Sequence, residues 1–370
     1  MRDEAQTEAR AILSKSMADP FPTPESVLGQ LRAIKAAALG DNDVGPIIEA
    51  RDEVLARYSP SFQPGAIASI SEDVLRSFLY FENNRHWTGL NRQVNRICAD
   101  MRATRTALAD LVDESKPIQS RMDACTAIKG MGKGIITAIL HVAYPDKYGV
   151  WNNTSDGALT ELGLMPTFDR GAKFGERYAA INEVLNAVAR ELDVDLWTLD
   201  ALWWKLDEAD GDQSSLLEDA PATPGAPPGA GGKTSFGMER HLQNFMYDNW
   251  DDLPLAADWE LFTRQGEPDA GYEFSTPVGR IDLLARHRRE PRWLVIELKR
   301  HGTSDQVVGQ ILRYVGWIRS HHAEPGESVE GLIVAHEGDD KLAYAVSAVP
   351  SLNFKTYEVN FRLVDAPEAG

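Results

Sequence analysis

Two short apolar runs within residues 279–317, IDLLA and RWLVIELK, constrain this chain more than any other feature. Glycine and proline bound them, and the second is rich in β-branched and aromatic residues, which is typical of strands that pair through a turn. Side chains alternate faces along a strand, so Glu297 and Lys299 point the same way. The basic connection between the runs leaves room for a turn, and we expect Asp282 to lie beside Glu297.

Two carboxylates that converge on neighbouring strands repel each other unless a positive charge lies between them. Oxygen atoms are the ligands that Mg²⁺ takes, so Asp282 and Glu297 predict a metal site. A bound metal lowers the pKa of a water ligand, and a lysine such as Lys299 can orient that water. This is chemistry suited to phosphodiester hydrolysis. The competing interpretation, an exposed strand face that happens to carry Glu and Lys, is common for so short a motif.

The order of these residues resembles the PD-(D/E)xK nuclease superfamily, whose pattern is an Asp, then E-x-K on the next strand, then a helix. Here the Asp is Asp282, E-x-K is ELK at 297–299, and a predicted helix covers 306–320. Arg-Ile at 280–281 replaces the Pro that nominally precedes the Asp. The resemblance implies an α/β restriction-endonuclease-like domain with an αβββαβ core.

Within that superfamily the stretch looks most like the NucS-type DNA endonucleases, because GQILRY at 309–314 supplies their G-Q-x-x-R-Y run. Gln310 and Tyr314 lie four residues apart and share a helix face. The resemblance implies Mg²⁺ or Mn²⁺ as cofactor and DNA as partner. The implied catalytic residues are Asp282, Glu297, Lys299 and Gln310, the implied metal ligands are Asp282, Glu297 and Glu239, and the implied DNA contacts are Arg280, Arg300, Arg313 and Tyr314.

A second informative stretch places glycines at 130, 132 and 134 directly before an apolar helix. It is not a nucleotide-binding P-loop, because Lys133 is followed by glycine and a helix precedes the turn. IKGMG at 128–132 resembles the helix-hairpin-helix of the DNA glycosylase superfamily. The resemblance implies that Gly130, Gly132, Lys133 and Gly134 bind a DNA phosphate through backbone N–H groups and a helix N-terminus. A glycine-rich turn without a ligand is the alternative.

The catalytic residues of the glycosylases are missing from this stretch. Bifunctional glycosylases carry a nucleophilic Lys where Gly134 stands and a catalytic Asp where Asn152 stands, and Asp156 is the only nearby substitute. The chain also lacks the cysteines for an iron–sulfur cluster. We therefore expect a DNA-binding domain here, and not a glycosylase joined to a nuclease.

Composition predicts the domain organisation. Residues 209–235 are rich in Pro, Gly and Ala without periodicity and read as a flexible linker. We expect a helical region over 1–70, an all-α helix-hairpin-helix-like domain over 71–208, and the nuclease domain over 236–370.

The net charge of −18 argues against a nucleic-acid partner, because phosphate binding relies on basic surface. Local charge matters more than the sum, however, and arginines concentrate around the predicted nuclease site. Because the chain as a whole is acidic, we still expect weak nonspecific DNA binding. The clustered basic residues are Arg280, Arg286, Arg288, Arg289, Arg292, Lys299, Arg300, Arg313 and Arg319.

The remaining expectations concern setting and assembly. With only Cys98 and Cys125 the chain implies no disulfide framework, and no apolar stretch predicts a membrane segment, so we expect a cytoplasmic protein. Nucleases of this superfamily are usually dimers or larger, which implies a homo-oligomer. Phage defence, restriction and DNA repair all remain open roles. The main alternative is a noncatalytic DNA-binding or scaffold protein that retains the nuclease fold.

Overall fold

The chain forms two compact units. The first is Met1–Ala222 together with the short segment Arg264–Pro268, and the second is Thr223–Thr263 with Asp269–Gly370. The predicted division into a helical N-terminal part and an α/β C-terminal part is confirmed. The structure, a computed structural model, describes residues 23–38, 44–169, 171–216, 242–299 and 306–358.

The first unit is built from α-helices joined by short turns and 3₁₀ segments. Caps fix several helix starts: the Ser71 hydroxyl accepts from the Val74 N–H, and the Asp100 carboxylate accepts from the N–H of Ala103. In chain order the helices are α1 (Glu25–Ala38), α2 (Gly45–Glu49), α3 (Arg51–Phe62), α4 (Glu72–Leu79), α5 (Phe81–Asn84), α6 (Val94–Ile97), α7 (Met101–Val112), α8 (Ile118–Cys125), α9 (Lys133–Ala143), α10 (Asn153–Glu161), α11 (Phe174–Leu192) and α12 (Leu196–Leu216).

One continuous core of aliphatic and aromatic side chains runs from Leu28 in α1 to Leu206 in α12. The predicted boundary near residue 70 therefore lies inside a single core. Helix α12 continues to Leu216, so the predicted linker is helical at its start. Residues 217–235 of that linker lie outside the described residues. Cys98 and Cys125 are buried free thiols.

The second unit is a mixed six-stranded sheet with helices against it. The strand order is β1-β3-β4-β5-β6, with β2 also paired to β3. Pairing is antiparallel from β1 to β4 and parallel from β4 to β6. The elements are a helix at 242–248 (α13), β1 (Trp259–Leu261), β2 (Tyr272–Thr276), β3 (Gly279–His287), β4 (Arg292–Lys299), α14 (Gln306–His321), β5 (Ser328–Ala335), α15 (Asp340–Ser347) and β6 (Leu352–Thr356).

Strand β4 lies in the middle of this sheet and is buried on both faces from Trp293 to Leu298. Apolar side chains on one face pack with α14 and α15, and those on the other face pack with α13. A central strand covered on both sides reads as a continuous apolar run, which is why RWLVIELK shows so little alternation. Among the described residues, no helix has the length and apolarity needed to cross a bilayer.

Candidate active site

The pairing of β3 with β4 brings the predicted carboxylates together. Leu283 pairs with Ile296, so the next position of the same register sets Asp282 beside Glu297. Oδ2 of Asp282 accepts a hydrogen bond of 2.7 Å from the N–H of Leu298. The Asp282 carboxylate therefore lies across the E-x-K run at the end of the two strands.

Glu297 and Lys299 form an ion pair on one face of β4. Nζ of Lys299 lies 3.3 Å from Oε1 of Glu297, and their side chains are 13% and 3% exposed respectively. A nearby ammonium group favours the charged form of a buried carboxyl group, whereas burial disfavours it. The pair is therefore an acceptor and a donor held side by side in a site with little bulk water.

Helix α14 adds Gln310 and Tyr314 to the same region. Nε2 of Gln310 donates to the Tyr314 hydroxyl at 3.2 Å. Burial, together with the negative charges of Glu297 and Asp282, raises the pKa of Tyr314 to about 12. The phenol thus stays neutral and lies within the electric field of both carboxylates.

Helix α13 supplies a contact that the sequence analysis missed. The buried side chain of Gln243 donates from Nε2 to the backbone carbonyl of Asp282 at 3.0 Å. This bond ties α13 to the strand position that carries the acid. No sequence signal marks Gln243, because a glutamine on an amphipathic helix usually faces solvent.

The residues predicted to contact DNA around this site differ in how exposed they are. Arg313 is exposed on α14 and Arg280 is half-buried on β3, so both guanidinium groups lie at or near the surface. Tyr314 is buried, and its hydroxyl accepts from Gln310. Arg300, predicted to contact DNA, and Glu239, predicted as a metal ligand, lie outside the described residues.

The donor set fits a hard divalent cation. Within the described part of the chain, no cluster of three or more His, Cys, Asp or Glu side chains is placed to hold a metal. Mg²⁺ does not require such a cluster, because it is commonly bound by one or two carboxylates and completes its octahedron with water and substrate phosphate oxygens. Asp282 and Glu297 supply that minimum.

The glycine hairpin of the first unit joins α8 to α9. Gly130 has a φ of +88°, which a glycine adopts readily. The N–H of Gly132 donates to the Gly130 carbonyl at 3.1 Å, and a Cβ on Gly130 would lie 2.9 Å from the Gln93 amide oxygen and 3.1 Å from Cβ of Arg96. The Gly132 amide therefore already has a protein acceptor, and side chains from residues 90–97 cover the turn.

The Lys133 side chain is buried and not directed to solvent. Its Nζ lies 3.2 Å from Glu267 and 3.6 Å from Asp156. The predicted phosphate contact would therefore have to compete with two carboxylates. A Cβ on Gly134 would lie 3.5 Å from Cβ of Asn152, so the two positions compared with the glycosylase nucleophile and its acid are neighbours. The Asn152 side chain caps α10.

Comparison with known proteins finds matches over part of the chain. Residues 261–359 match the family model described as the Endonuclease NucS C-terminal domain. The chain is 33% identical over 63 residues to the Endonuclease NucS of Methanocaldococcus jannaschii, which is 17% of this chain and 23% of that protein. The NucS resemblance predicted for the C-terminal part is thereby confirmed.

Two solved structures are also similar over part of their length. One is described as a repair endonuclease from Pyrococcus abyssi, with 18% identity and a TM-score of 0.26 over 36% of this chain and 50% of that chain. The other is an EndoMS-dsDNA2 complex, with 17% identity and a TM-score of 0.26 over 38% of this chain and 51% of that chain. The chain spans about half the length of these two structures.

Proposed function

We propose that this protein is a metal-dependent DNA endonuclease whose active site is formed by Asp282, Glu297, Lys299 and Gln310. The observation that carries the proposal is the Asp282 carboxylate held across the E-x-K run by the Leu298 N–H, inside the segment that matches the NucS C-terminal domain. An exposed strand face with chance acids would not bury Glu297 and bond Asp282 to the neighbouring strand.

Asp282 and Glu297 would hold Mg²⁺ or Mn²⁺, and when bound the ion lowers the pKa of a water and neutralises charge on a phosphoryl oxygen. Lys299 orients the attacking water and hydrogen-bonds its oxygen. The Gln310 amide and the Tyr314 hydroxyl hydrogen-bond to the water or to the phosphate and orient it. The water oxygen bonds to phosphorus as the water releases one proton to solvent, the bond to the leaving ribose oxygen breaks, and that oxygen takes up one proton from solvent, so that a phosphate monoester end and a hydroxyl end are formed.

The helical unit is proposed to bind DNA and direct the nuclease to its substrate. The first support is the helix-hairpin-helix resemblance. The second is that positions 134 and 152, which correspond to the nucleophile and the acid of a glycosylase, are neighbours in space. Because Gly134 and Asn152 supply neither a nucleophile nor an acid, the unit would bind without base excision. For the biological role of such a nuclease, we predict phage defence, restriction or DNA repair. We also predict that the protein assembles into a homo-oligomer.

Cleavage of supercoiled plasmid tests the proposal directly. The parent protein should nick or linearise plasmid with Mg²⁺ or Mn²⁺ and be inactive with a chelator, whereas Asp282→Asn and Glu297→Gln should be inactive with either metal. Glu290→Gln is the matched control, because Glu290 is an exposed acid in the turn between β3 and β4. Duplex binding without metal-dependent cleavage by the parent would instead favour the noncatalytic scaffold.

A further inference from the structure

The turn Arg264–Pro268 belongs to the first unit, and its Glu267 side chain is part of a buried cluster of charges. Glu267 is only 1% exposed, and its Oε2 lies 3.2 Å from Nζ of Lys133. Nη1 of Arg177 donates to Oε1 of the same carboxylate. Nη2 of Arg177 donates to the backbone carbonyl of Gln265 at 3.1 Å. Two buried cations are therefore directed at one short segment of chain.

Stacked aromatic rings lie beside these cations. Trp151 and Phe174 stack with ring centroids 5.5 Å apart and planes 20° from parallel. Nζ of Lys133 and the guanidinium of Arg177 lie 5.2 Å and 5.4 Å from the Trp151 centroid. A Cβ on Gly266 would lie 2.4 Å from the Phe174 ring, so glycine lets the turn lie flat on it. We call Lys133, Arg177, Trp151 and Phe174 the cationic pocket.

The occupant of this pocket is an anion. Burial raises the pKa of the Glu267 carboxyl, but the charges of Lys133, Arg264 and Arg177 outweigh burial and lower it to about 2. Holding a turn does not require such a cluster, because apolar side chains of similar volume usually stabilise as well or better than buried ions. A guanidinium fork, an ammonium group and an aromatic face are instead the groups that bind phosphate beside a planar ring.

We propose that the cationic pocket is a phosphate-binding site of the helical unit and that Glu267 occupies it as an internal ligand. The Glu267 oxygens accept from the donors that phosphate oxygens would use. The phosphate comes from a DNA backbone or from a free phosphate compound. The pocket shares no residue with the nuclease site, so its test does not depend on cleavage. Only the DNA case rests on the function proposed for the helical unit.

Thermal unfolding of full-length variants in phosphate tests the site. Glu267→Ala removes the internal ligand, and Glu260→Ala, which removes an exposed acid on β1, is the matched control. In sodium chloride, Glu267→Ala should unfold at a lower temperature than the parent, because the buried Arg177 loses its carboxylate partner and Lys133 keeps only Asp156 at 3.6 Å. In sodium phosphate of equal ionic strength, phosphate should raise the unfolding temperature of Glu267→Ala. The phosphate concentration needed should be about tenfold lower than for the parent, because the Glu267 carboxylate no longer competes for the pocket.

Two further variants keep this test decisive. Glu267→Gln retains the side-chain shape without the charge, and it replaces the alanine variant if that protein does not fold. Adding Arg177→Ala to either variant should abolish the phosphate response, because the fork that binds the anion is lost. A phosphate response of the Glu267 variant equal to that of Glu260→Ala overturns the proposal.

Fluorescence anisotropy on a duplex oligonucleotide identifies the source of the phosphate. If DNA supplies it, the Glu267 variant binds duplex more tightly than Glu260→Ala, with a salt slope steeper by about 0.9 for one more neutralised phosphate. If both variants bind duplex equally while phosphate selectively stabilises the Glu267 variant, the ligand is a free phosphate compound. Equal duplex binding without any selective phosphate response means that the ion cluster only holds the turn.

Discussion

Asp282 and Glu297 are held in different ways, and this difference predicts what each substitution removes. Asp282 is fixed by a backbone N–H and by the strand that α13 supports, whereas Glu297 is buried against Lys299. Loss of either acid removes a proposed metal ligand. Loss of the lysine leaves both acids in place, so its defect should appear in turnover and not in metal affinity.

Lys299→Ala should lower the maximal cleavage rate by about 100-fold, because loss of one preorganised hydrogen-bond donor costs about 10²–10³ in rate. The Mg²⁺ concentration for half-maximal cleavage should stay within a few-fold of the parent value. Asp282→Ala should show no saturation with metal at all. Plasmid cleavage titrated with Mg²⁺ separates the two cases. A Lys299 variant that recovers full activity at high Mg²⁺ would mean that the lysine assists metal binding.

Most of this site could be predicted from single residues and their spacing, because strand alternation and the turn length determine which acids meet. Gln243 and Glu267 could not. Gln243 acts through a backbone carbonyl, which any residue at position 282 would provide. Glu267 lies in a turn-forming QGEPD run that predicts an exposed acid. Its burial depends on side chains more than 80 residues away, and no local pattern records such a contact.

At the scale of elements, the turn between β2 and β3 meets α14 at the active site. Gly279 has a φ of +122°, and a Cβ there would lie 2.7 Å from the Tyr314 hydroxyl. The strand start and the helix can approach this closely only because position 279 has no side chain. Spacing predicted the strands and the helix, whereas this approach depends on tertiary packing and was not predicted.

Gly279→Ala should therefore displace Tyr314 and, through its hydrogen bond, Gln310. We expect cleavage to fall and the unit to lose about 1–3 kcal/mol, because a non-glycine residue is strained at this backbone conformation. Gly309→Ala is the matched control. Gly309 lies on α14, the helix that carries Tyr314, and a Cβ added there would have nothing within 4 Å. Because alanine favours the helix more than glycine does, the stability of this variant should be equal to or higher than that of the parent. Cleavage assays and urea unfolding of both variants measure the difference. Equal activity would show that Tyr314 and Gln310 need no precise placement.

On the scale of the whole molecule, composition predicted a helical part and an α/β part joined by a Pro/Gly/Ala segment. It could not predict that Arg264–Pro268 clusters with the helical unit. The helical unit also buries two histidines, His86 after α5 and His141 in α9. His86 lies 3.0 Å from Asp200, and His141 lies 2.8 Å from the carbonyl of Tyr148, all enclosed by tryptophan rings. His141 makes the stability of the unit depend on pH.

His141 determines the direction of that dependence. Burial lowers the pKa of the His141 imidazole from 6.5 to about 4, although the hydrogen bond to the Tyr148 carbonyl acts in the opposite direction. Above pH 6.5 both folded and unfolded chains carry a neutral ring. Between pH 6.5 and pH 4 the unfolded chain binds a proton that the folded chain does not, so the free energy of unfolding falls as pH falls. We expect a loss of about 3 kcal/mol across this window, at about 1.4 kcal/mol per pKa unit.

Urea unfolding of the full-length protein, followed by tryptophan emission at several pH values across this window, measures the loss. His141→Gln is the comparison variant, because an amide can donate to the Tyr148 carbonyl but cannot take up the proton. It should be less stable at pH 7, since packing around the ring is disturbed, and its stability should fall less steeply toward pH 4. If parent and variant lose stability equally between pH 6.5 and pH 4, the pH dependence does not come from His141.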